Sequence, residues 1–371
     1  KNNSTTKWGI PSSSHKILGA TGIMASPSVS LENDSEFYDK SDNVKVMDSP
    51  MCGAFAIGDT RISAGPRPDL WGSAHFNPDN VFISEFAYAD KYDIPVVLTS
   101  NPPKFGFGGG GERVYPTYHP DGTPNIAPGL LGVLAAHQGV EVAPNDVAAY
   151  IAAATAHPGY HERFKEDLRN PVVRVPITAV PELWAEAVEL GHVHMGLTTA
   201  DLQDPGAAMP SVPGHTSGIA WVSAHGEEVI EGSARRMCKV GADGVFRVGD
   251  NVFTGVDPRI MDYKIGGSKV VVKWLERHLG TPYGKSMSPL DLIVPDSWEP
   301  GWSQELYRLL LTVEALMVLE ARQADLLGRI AGGDLLTVDE LAKRGVRWPG
   351  GRKDPLRKAR WPEKSGGNGL L

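Results

Sequence analysis

The chain has 371 residues, of which 41% are hydrophobic and 22% are charged, a composition that is typical of folded globular proteins and argues against intrinsic disorder. Its net charge of −8 argues against a simple DNA-binding module, because such modules usually carry a basic face that neutralises phosphates. No stretch approaches the roughly 18 apolar residues of a membrane span, and the polar amino terminus has no apolar signal core, so we expect a cytoplasmic protein without membrane contact.

The first 143 residues are predicted to form a strand-rich lobe. Residues 1–50 are rich in Ser, Asn and Gly and indicate loops and short strands, and the first residue is lysine rather than methionine, as expected for a domain taken from a longer polypeptide. Short runs rich in β-branched and aromatic residues, such as 81–83 and 94–98, follow between Pro, Gly, Asn and Asp, a pattern typical of strands. A four-glycine run at 108–111 and a turn-rich segment at 119–125 then predict a flexible crossing.

The segment that follows, residues 144–200, is predicted to be a helical middle segment. An Asn-Asp pair at 145–146 is a suitable N-cap for a helix in which apolar residues recur at helical spacing. The tripeptide His-Pro-Gly at 157–159 interrupts this helix, and a second helix resumes after it. Pro181 begins a third helix, and Gly191 is expected to end it, because glycine commonly follows the last helical residue.

Residues 201–340 are predicted to form a second, carboxyl-terminal lobe with both strands and helices. The Pro- and Gly-rich stretch at 201–218 indicates the boundary between lobes, and short apolar runs between Gly and Asp make 218–263 strand-like. The segment 270–279 is amphipathic, and 302–330 places apolar residues at three- and four-residue steps, which predicts one long helix or a helix pair. The predicted fold class is therefore α+β, with two mixed lobes joined by a helical middle segment.

The last segment, residues 341–371, is a basic tail. Between positions 343 and 364 it carries nine Lys and Arg residues against two acidic residues, so this stretch has a charge of about +7 and the rest of the chain about −15. A tail of this charge is suited to contact phosphates. The alternative is a solvated and partly disordered terminus, in which prolines at 349, 355 and 362 break any helix.

One short motif has the form of a methyltransferase active site. The residues Ser-Asn-Pro-Pro at 100–103 follow an apolar run, as the Asn-Pro-Pro-Tyr/Phe motif of amino-methyltransferases does, where the Asn side chain and a proline carbonyl hold the target amine. Here Lys104 replaces the aromatic residue that would stack the flipped base, and no strand with a Gly-x-Gly loop for S-adenosylmethionine lies upstream. The sequence therefore favours a simple Pro-Pro turn.

Other groupings of chemically active residues are weaker. The four glycines lack the Gly-Lys-Ser/Thr of a nucleotide-binding loop, and a His-x-His pair at 192–194 with aspartates at 201 and 204 has no third ligand at a diagnostic spacing. The two cysteines, Cys52 and Cys238, lie far apart and indicate free thiols rather than a disulfide. We therefore predict no metal site, no disulfide and no catalytic residue in this chain.

Longer segments of the sequence resemble one family, in the order in which they occur. The most specific runs from 148 to 168, with the sequence AAYIAAATAHPGYHERFKEDL, and is followed by Arg-Val-Pro-Ile at 174–177. The other matching segments are 59–61, 66–71, 109–116, 119–123, 263–267, 272–275 and 288–291. Together they cover residues 55–330 in outline and resemble the C-terminal specificity (target-recognition) domain of type ISP restriction-modification enzymes.

This resemblance implies recognition of double-stranded DNA without catalysis in the chain itself. In the family, a nuclease, a translocating helicase and an adenine N6-methyltransferase lie ahead of this domain, and they use magnesium, ATP and S-adenosylmethionine. The implied partners are duplex DNA and those three domains, and no cofactor is expected in this chain. The implied role is to choose the DNA sequence at which the other domains methylate adenine and cleave.

The chemistry of the base edges indicates which residue types can recognise a DNA sequence. Arg or Lys pairs with guanine and Asn or Gln with adenine, presented by loops on a rigid scaffold, while basic tails contact phosphates. The predicted DNA-binding residues are Arg61, Arg67, Lys104, Arg113, Asn125, Arg235, Arg236, Lys239, Arg352, Lys353, Arg357 and Lys358. Two alternatives stay open: a stand-alone structural or protein-interaction protein built on the same scaffold, and a small S-adenosylmethionine-dependent methyltransferase that uses residues 101–103.

Overall fold

Helices and small antiparallel sheets alternate along the chain in a computed structural model. The structure describes residues 43–57, 67–86, 89–104, 107, 112–169, 173–204, 206–207, 212–223, 240–249, 251–279, 298–350 and 354–363. Cys238 and the four-glycine run lie outside these described residues. The α+β fold class predicted from the sequence is confirmed.

Five short strands lie in the amino-terminal part of the chain. β1 (Asn43–Ser49) and β2 (Cys52–Ile57) form an antiparallel hairpin. β3 (Phe82–Glu85) lies between β4 (Val96–Thr99) and β5 (Arg113–Pro116), and both pairings are antiparallel. All residues of β4 are buried, whereas β5 is a partly exposed edge of this sheet. The two strands predicted in this region are thus confirmed.

In the described residues up to position 204, one α-helix precedes this sheet along the chain and four follow it. α1 (Pro68–Phe76) connects β2 to β3. The helices after β5 are α2 (Leu130–Gln138), α3 (Pro144–Thr155), α4 (Pro158–Phe164) and α5 (Pro181–Thr199). The sequence predicts the last three of these helices but neither α1 nor α2.

The start of α3 differs from the prediction. The helix begins at Pro144, and its N-cap is Ala143 rather than the Asn-Asp pair that follows. The N–H of Ala143 donates to the Asp146 carboxylate at 2.8 Å, so this aspartate acts from the third helical position. Proline is well suited to the first helical position because its missing N–H would have no partner in the helix.

The end of α5 also differs from the prediction, because the helix passes through Gly191 and continues to Thr199. Here α5 packs so tightly on α3 that a β-carbon at position 191 would overlap the carbonyl group of Ala149. The missing side chain lets the two helix backbones approach closely, so this glycine serves packing and does not stop the helix.

The carboxyl-terminal part combines a second small sheet with long helices. β8 (Asn251–Thr254) pairs antiparallel with β6 (Ala220–Ser223) and β7 (Phe246–Val248), and β9 (Lys264–Ile265) pairs with β10 (Ser268–Lys269). The helices are α6 (Val270–Leu279), α7 (Pro300–Gly332) and α8 (Val338–Lys343). The predicted strand-like and amphipathic segments are confirmed, and the segment 302–330 belongs to one helix rather than a pair. None of the helices in the described part of the chain combines the length and apolar character needed to cross a bilayer.

α7 contributes one full face to the main hydrophobic core. The fully buried side chains of this face include Leu306, Leu309, Leu310, Val313 and Leu316. The same cluster of buried residues contains Met47 of β1 and Trp184 of α5, so a single core extends across the predicted boundaries near 143 and 200. The division of the chain into lobes stays a prediction.

Candidate functional site

A cleft of about 1200 Å³ lies between the three-stranded sheet β4-β3-β5, the helices α1 and α3, and residues 355–360. Among the residues that the structure describes, five cationic side chains and three carboxylates line it, although the chain as a whole has a charge of −8. These charged residues are Arg67, Asp69, Glu85, Glu112, Arg113, Arg357, Lys358 and Arg360. The local excess of positive charge suits the cleft to an anionic partner.

Arg113 is oriented in the cleft by a carboxylate on the neighbouring strand. It lies directly opposite Glu85 in the antiparallel register of β5 and β3, and its Nη1 is 3.3 Å from Glu85 Oε1. The N–H of Val173 donates to the same oxygen at 2.7 Å, and the Tyr115 hydroxyl donates to Oε2 at 3.5 Å. Burial and the charge of Glu85 raise the pKa of Tyr115, so its hydroxyl keeps the proton that it donates. The Arg113 side chain is 41% exposed and is therefore both oriented and accessible.

Arg67 is buried in an ion pair. Its side chain is 6% exposed, and its Nη2 lies 2.6 Å from Oε1 of Glu112, whose side chain is fully buried. The pair joins the N-cap residue of α1 to the residue that precedes β5. Because a buried charge is costly without its partner, we assign Arg67 a structural role in place of the predicted contact with DNA.

Residues 354–363, here called the strap, form the outer wall of the cleft. Within the strap a short 3-10 helix (Pro355–Arg357) is capped by Asp354, whose carboxylate accepts the N–H of Leu356 at 2.9 Å. The exposed basic side chains of the strap are Arg357, Lys358 and Arg360. This part of the basic tail therefore packs on the protein, unlike the solvated and disordered terminus considered above.

The strap is fastened to α1 by Trp361. The indole Nε1 donates to the carboxylate of Asp69 at 3.2 Å, and the ring makes an edge-to-face contact with Phe76 at a centroid distance of 6.3 Å. The same ring lies over Gly72, where a β-carbon would come within 2.6 Å of the indole Cζ3. The contact surface on α1 thus depends on a glycine.

Hydrogen bonds hold the chain at Arg360 within the strap and at Arg347 before it. The carbonyl of Arg360 accepts the N–H of Asp121 at 3.0 Å, and its Nη2 donates to the carbonyl of Pro124 at 2.9 Å. Before the strap, the N–H of Arg347 donates to the carbonyl of Pro128 at 2.9 Å. The path of the chain across the cleft is therefore defined at each end.

Asn125 and Lys104 make structural contacts. Asn125 lines the cleft, but its Nδ2 donates to the carbonyl of Pro116 at 2.9 Å, which uses part of its capacity to read a base. Lys104 does not line the cleft, and its ammonium group pairs with Asp48, which also lies 3.0 Å from Arg277. Lys104 is thus separate from the other described candidates.

Apart from Lys104, which is described but lies away from the cleft, the predicted DNA-binding residues fall into two sets. The structure brings five of them to the cleft, namely Arg67, Arg113, Asn125, Arg357 and Lys358. Those that lie outside the described residues are Arg61, Arg235, Arg236, Lys239, Arg352 and Lys353. Sequence reasoning missed Tyr115 and Glu85, although the spacing of Arg113 and Tyr115 on one strand places them on the same face. It also omitted Arg360, whose position depends on contacts far away in the sequence.

The Asn-Pro-Pro segment has a structural role in this fold. The N–H of Met47 donates to the carbonyl of Pro102 at 3.0 Å, and the N–H of Lys104 donates to the carbonyl of Met47 at 2.9 Å. The segment therefore extends β1 by parallel pairing, and the proline carbonyl that would hold a target amine already has a partner. This geometry supports the predicted turn over a methyltransferase site.

The two histidines of the His-x-His pair have different surroundings. His192 Nε2 lies 2.8 Å from the carboxylate of Asp146, near the start of α3. His194 is buried, and burial lowers its pKa to about 4. Burial also lowers the pKa of the neighbouring His157 to about 3. Both buried rings are therefore neutral core residues.

This fold is similar to that of several solved structures, of which two are described. One is the cryo-EM structure of the DrdV–DNA complex, with a TM-score of 0.54 and 17% identity over 80% of this chain and 29% of that chain. Another is the ATP-dependent type ISP restriction-modification enzyme LlaBIII bound to DNA, with a TM-score of 0.50 and 12% identity over 82% and 19% of the two chains. This chain spans less than a third of the length of either. No curated protein sequence matches it.

Residues 5–309 of the sequence also match a family model, which is described as the type ISP C-terminal specificity domain. This match covers most of the chain and includes residues 5–50, which the resembling segments between residues 55 and 330 do not reach. The chain belongs to the family of type ISP C-terminal specificity domains.

Proposed function

We propose that this chain recognises a specific double-stranded DNA sequence as the specificity domain of a type ISP restriction-modification enzyme in the cytoplasm. Adenine N6-methylation and cleavage at that sequence are assigned to methyltransferase, helicase and nuclease domains of a longer polypeptide, which use S-adenosylmethionine, ATP and magnesium. The observation that carries the proposal is the family match over residues 5–309. The two similar structures described above are complexes with DNA, which supports the choice of partner.

The cleft supplies both kinds of contact that sequence-specific binding requires. Arg113 is a rigidly oriented arginine, the residue type that pairs bidentately with guanine in the major groove. Arg357, Lys358 and Arg360 are exposed on the opposite wall, where they suit the phosphates that position a duplex without specifying its sequence. The proposal therefore assigns base reading to β5 and phosphate binding to the strap.

The acidic character of the whole chain is compatible with this assignment. Glu85 and Glu112 lie in the cleft, but each is paired with an arginine of the same cleft. Asp69 accepts a hydrogen bond from Trp361. The carboxylates thus serve to hold the cationic groups in place, and the exposed charges of the strap remain positive.

The proposal is tested by selection from a pool of random duplexes with the full chain, and in parallel with the longest natural polypeptide that contains it. We expect one sequence to be enriched, with an affinity that falls steeply as salt rises, because each phosphate contact contributes about −0.9 to the slope of log K against log salt. The double variant Arg357→Ala/Lys358→Ala should reduce this slope by about two.

The matched control is Arg259→Ala. Arg259 is exposed and ion-paired with Asp257, as a surface arginine often is, but it does not line the cleft. Its removal should leave both the selected sequence and the salt slope unchanged. Failure of both proteins to enrich any sequence, or binding that ignores salt, would contradict the proposed function.

A further inference from the structure

We infer that the strap is a positioning element that determines the sign of the charge in the cleft, and that Trp361 is the residue whose docking on α1 holds it there. The inference rests on the proposed function, because the consequence of docking is the capacity of the cleft to bind DNA phosphates. It concerns residues 354–363 and their contacts with α1.

The charges that line the cleft carry the argument. With the strap in place, five cations face three carboxylates. Arg357, Lys358 and Arg360 come from the strap, so its release leaves two cations, Arg67 and Arg113, with the same three carboxylates. With the strap in place, burial and the nearby Arg360 lower the pKa of His119, so this ring adds no charge to the docked cleft. Release of the strap therefore changes the lining from net positive to net negative.

The position of the strap depends on its contacts with the rest of the protein. Its regular structure is limited to the 3-10 helix Pro355–Arg357, which does not by itself fix the direction of the chain. Beyond that helix the contacts with α1 come from Trp361, whose side chain stays 39% exposed. Arg360 also ties the strap to Asp121 and Pro124 through two hydrogen bonds. An exposed segment with few buried apolar contacts nevertheless opens more readily than the core, so loss of the indole contact should favour release of the strap.

The surface of α1 is shaped to accept the indole. Glycine within a helix is unfavourable, and alanine would normally be preferred at an interior position such as 72. Because a β-carbon at this position would come within 2.6 Å of Cζ3 of Trp361, the glycine is required by the ring that lies on it. Gly72→Ala should therefore undock the strap while favouring α1 itself.

Docking is first measured without DNA. In Gly72→Ala, tryptic cleavage after Arg357, Lys358 and Arg360, followed by mass spectrometry of the full chain, should be several-fold faster than in the wild type. The control is Gly132→Ala, at a glycine within the nine-residue helix α2 where a β-carbon would meet no heavy atom within 4 Å. This control should be cleaved at the wild-type rate. Equal cleavage of Gly72→Ala and wild type overturns the inference.

The effect on DNA is then measured with a short duplex of random sequence over a range of salt concentrations. Trp361→Ala should lower the magnitude of the slope of log K against log salt by up to about three. The triple variant Arg357→Ala/Lys358→Ala/Arg360→Ala should have the same effect, because each lost phosphate contact removes about 0.9 from that slope. Trp361→Phe keeps an aromatic ring but not the donor to Asp69, so its salt slope should lie between those of Trp361→Ala and the wild type.

The two proposals fail in different ways. If Trp361→Ala and Gly72→Ala are cleaved faster but bind the duplex with an unchanged salt slope, the inference is overturned and the proposed function stands. If the wild-type protein binds no duplex at all, the proposed function fails and the inference falls with it, whatever the rate of proteolysis. Urea unfolding of each variant separates release of the strap from loss of the fold.

Discussion

The hydroxyl of Tyr263 donates a hydrogen bond to Glu320 Oε1 at 2.6 Å, where the end of a 3-10 helix packs on α7. Burial raises the pKa of Glu320 from 4.5 to about 7, against the opposing effect of this hydrogen bond. The carboxyl group is therefore protonated in the folded chain under conditions where it is ionised in the unfolded chain.

Glu320 should make the protein less stable as pH rises. The folded state binds its proton more tightly than the unfolded state, so its contribution is complete below 4.5 and is lost as pH rises through about 7. Over this window the loss amounts to about 3 kcal/mol. The free energy of urea unfolding of the wild type minus that of Glu320→Gln should fall by most of this amount between about pH 5 and pH 8, because the other titrating groups act equally in both proteins. Parallel profiles for the two proteins would rule out the assignment.

The buried histidines should have the opposite effect. The pKa of His157 is lowered from 6.5 to about 3 and that of His194 from 6.5 to about 4, so only the unfolded chain takes up these protons as pH falls below 6.5. Each histidine then costs about 1.4 kcal/mol per pH unit. In a Glu320→Gln background, stability should fall from about pH 6.5 towards pH 4.5. His194→Leu should reduce that slope by the amount due to one proton, and an unchanged slope would refute the prediction.

The contact between Gly191 and Ala149 predicts a large packing effect. Gly191→Ala forces α5 away from α3 and should lower the free energy of unfolding by about 1–3 kcal/mol or more. Gly328→Ala is the matched control, because it lies within α7 with no atom close to the new β-carbon. It should be neutral or stabilising by up to about 1 kcal/mol. Equal stability of the two variants would contradict the packing role of Gly191.

The buried ion pair predicts a variant that loses stability without losing selectivity. Glu112→Gln leaves Arg67 charged in a buried setting and should cost about 3 kcal/mol or more in urea unfolding. Removal of Arg259, the exposed partner of Asp257, should leave the urea unfolding midpoint nearly unchanged. Under conditions where Glu112→Gln is folded, it should select the same DNA sequence as the wild type. A changed sequence preference would return Arg67 to the set that reads DNA.

Replacement of Arg113 should have the opposite consequence, a loss of sequence selectivity. Arg113→Ala should weaken discrimination at one base pair of the selected sequence by about 1–3 kcal/mol, with little change in the salt slope. Glu85→Gln, which removes the charge that orients this arginine, should act in the same direction but more weakly. Competition binding against single-base-pair variants of the selected duplex measures both effects. A uniform loss of affinity for all duplexes would instead identify Arg113 as a phosphate contact.

Much of the helical structure was predictable because its signals are local. The apolar steps along α7 and the proline at the start of α5 mark those helices within a few neighbouring residues. By contrast, α1 contains Gly72 and Ser73 in its buried part and has no regular apolar stripe. Its buried face is completed by Trp361, which lies far away in the sequence. No local pattern contains that contact, so the helix was missed.

The candidate site also depends on contacts that local sequence patterns do not contain. Arginines suited to read DNA can be selected by residue type, but their availability depends on which carboxylate each one meets. Arg67 and Arg113 look alike in the sequence, yet one is buried with Glu112 and the other is oriented by Glu85 across a pair of strands. The Gly191 prediction failed for a related reason, since a glycine that ends a helix and one that lets two helices touch are locally indistinguishable.

Trp361 and Asp69 are hydrogen-bonded across 292 positions of sequence. During synthesis, α1 therefore leaves the ribosome long before the tryptophan that completes its surface. A nascent chain that ends before the strap has Asp69, Glu85 and Glu112 of the cleft but lacks Arg357, Lys358 and Arg360. The positive charge of the cleft lining is therefore completed only after α8, the last α-helix of the described fold, has been made.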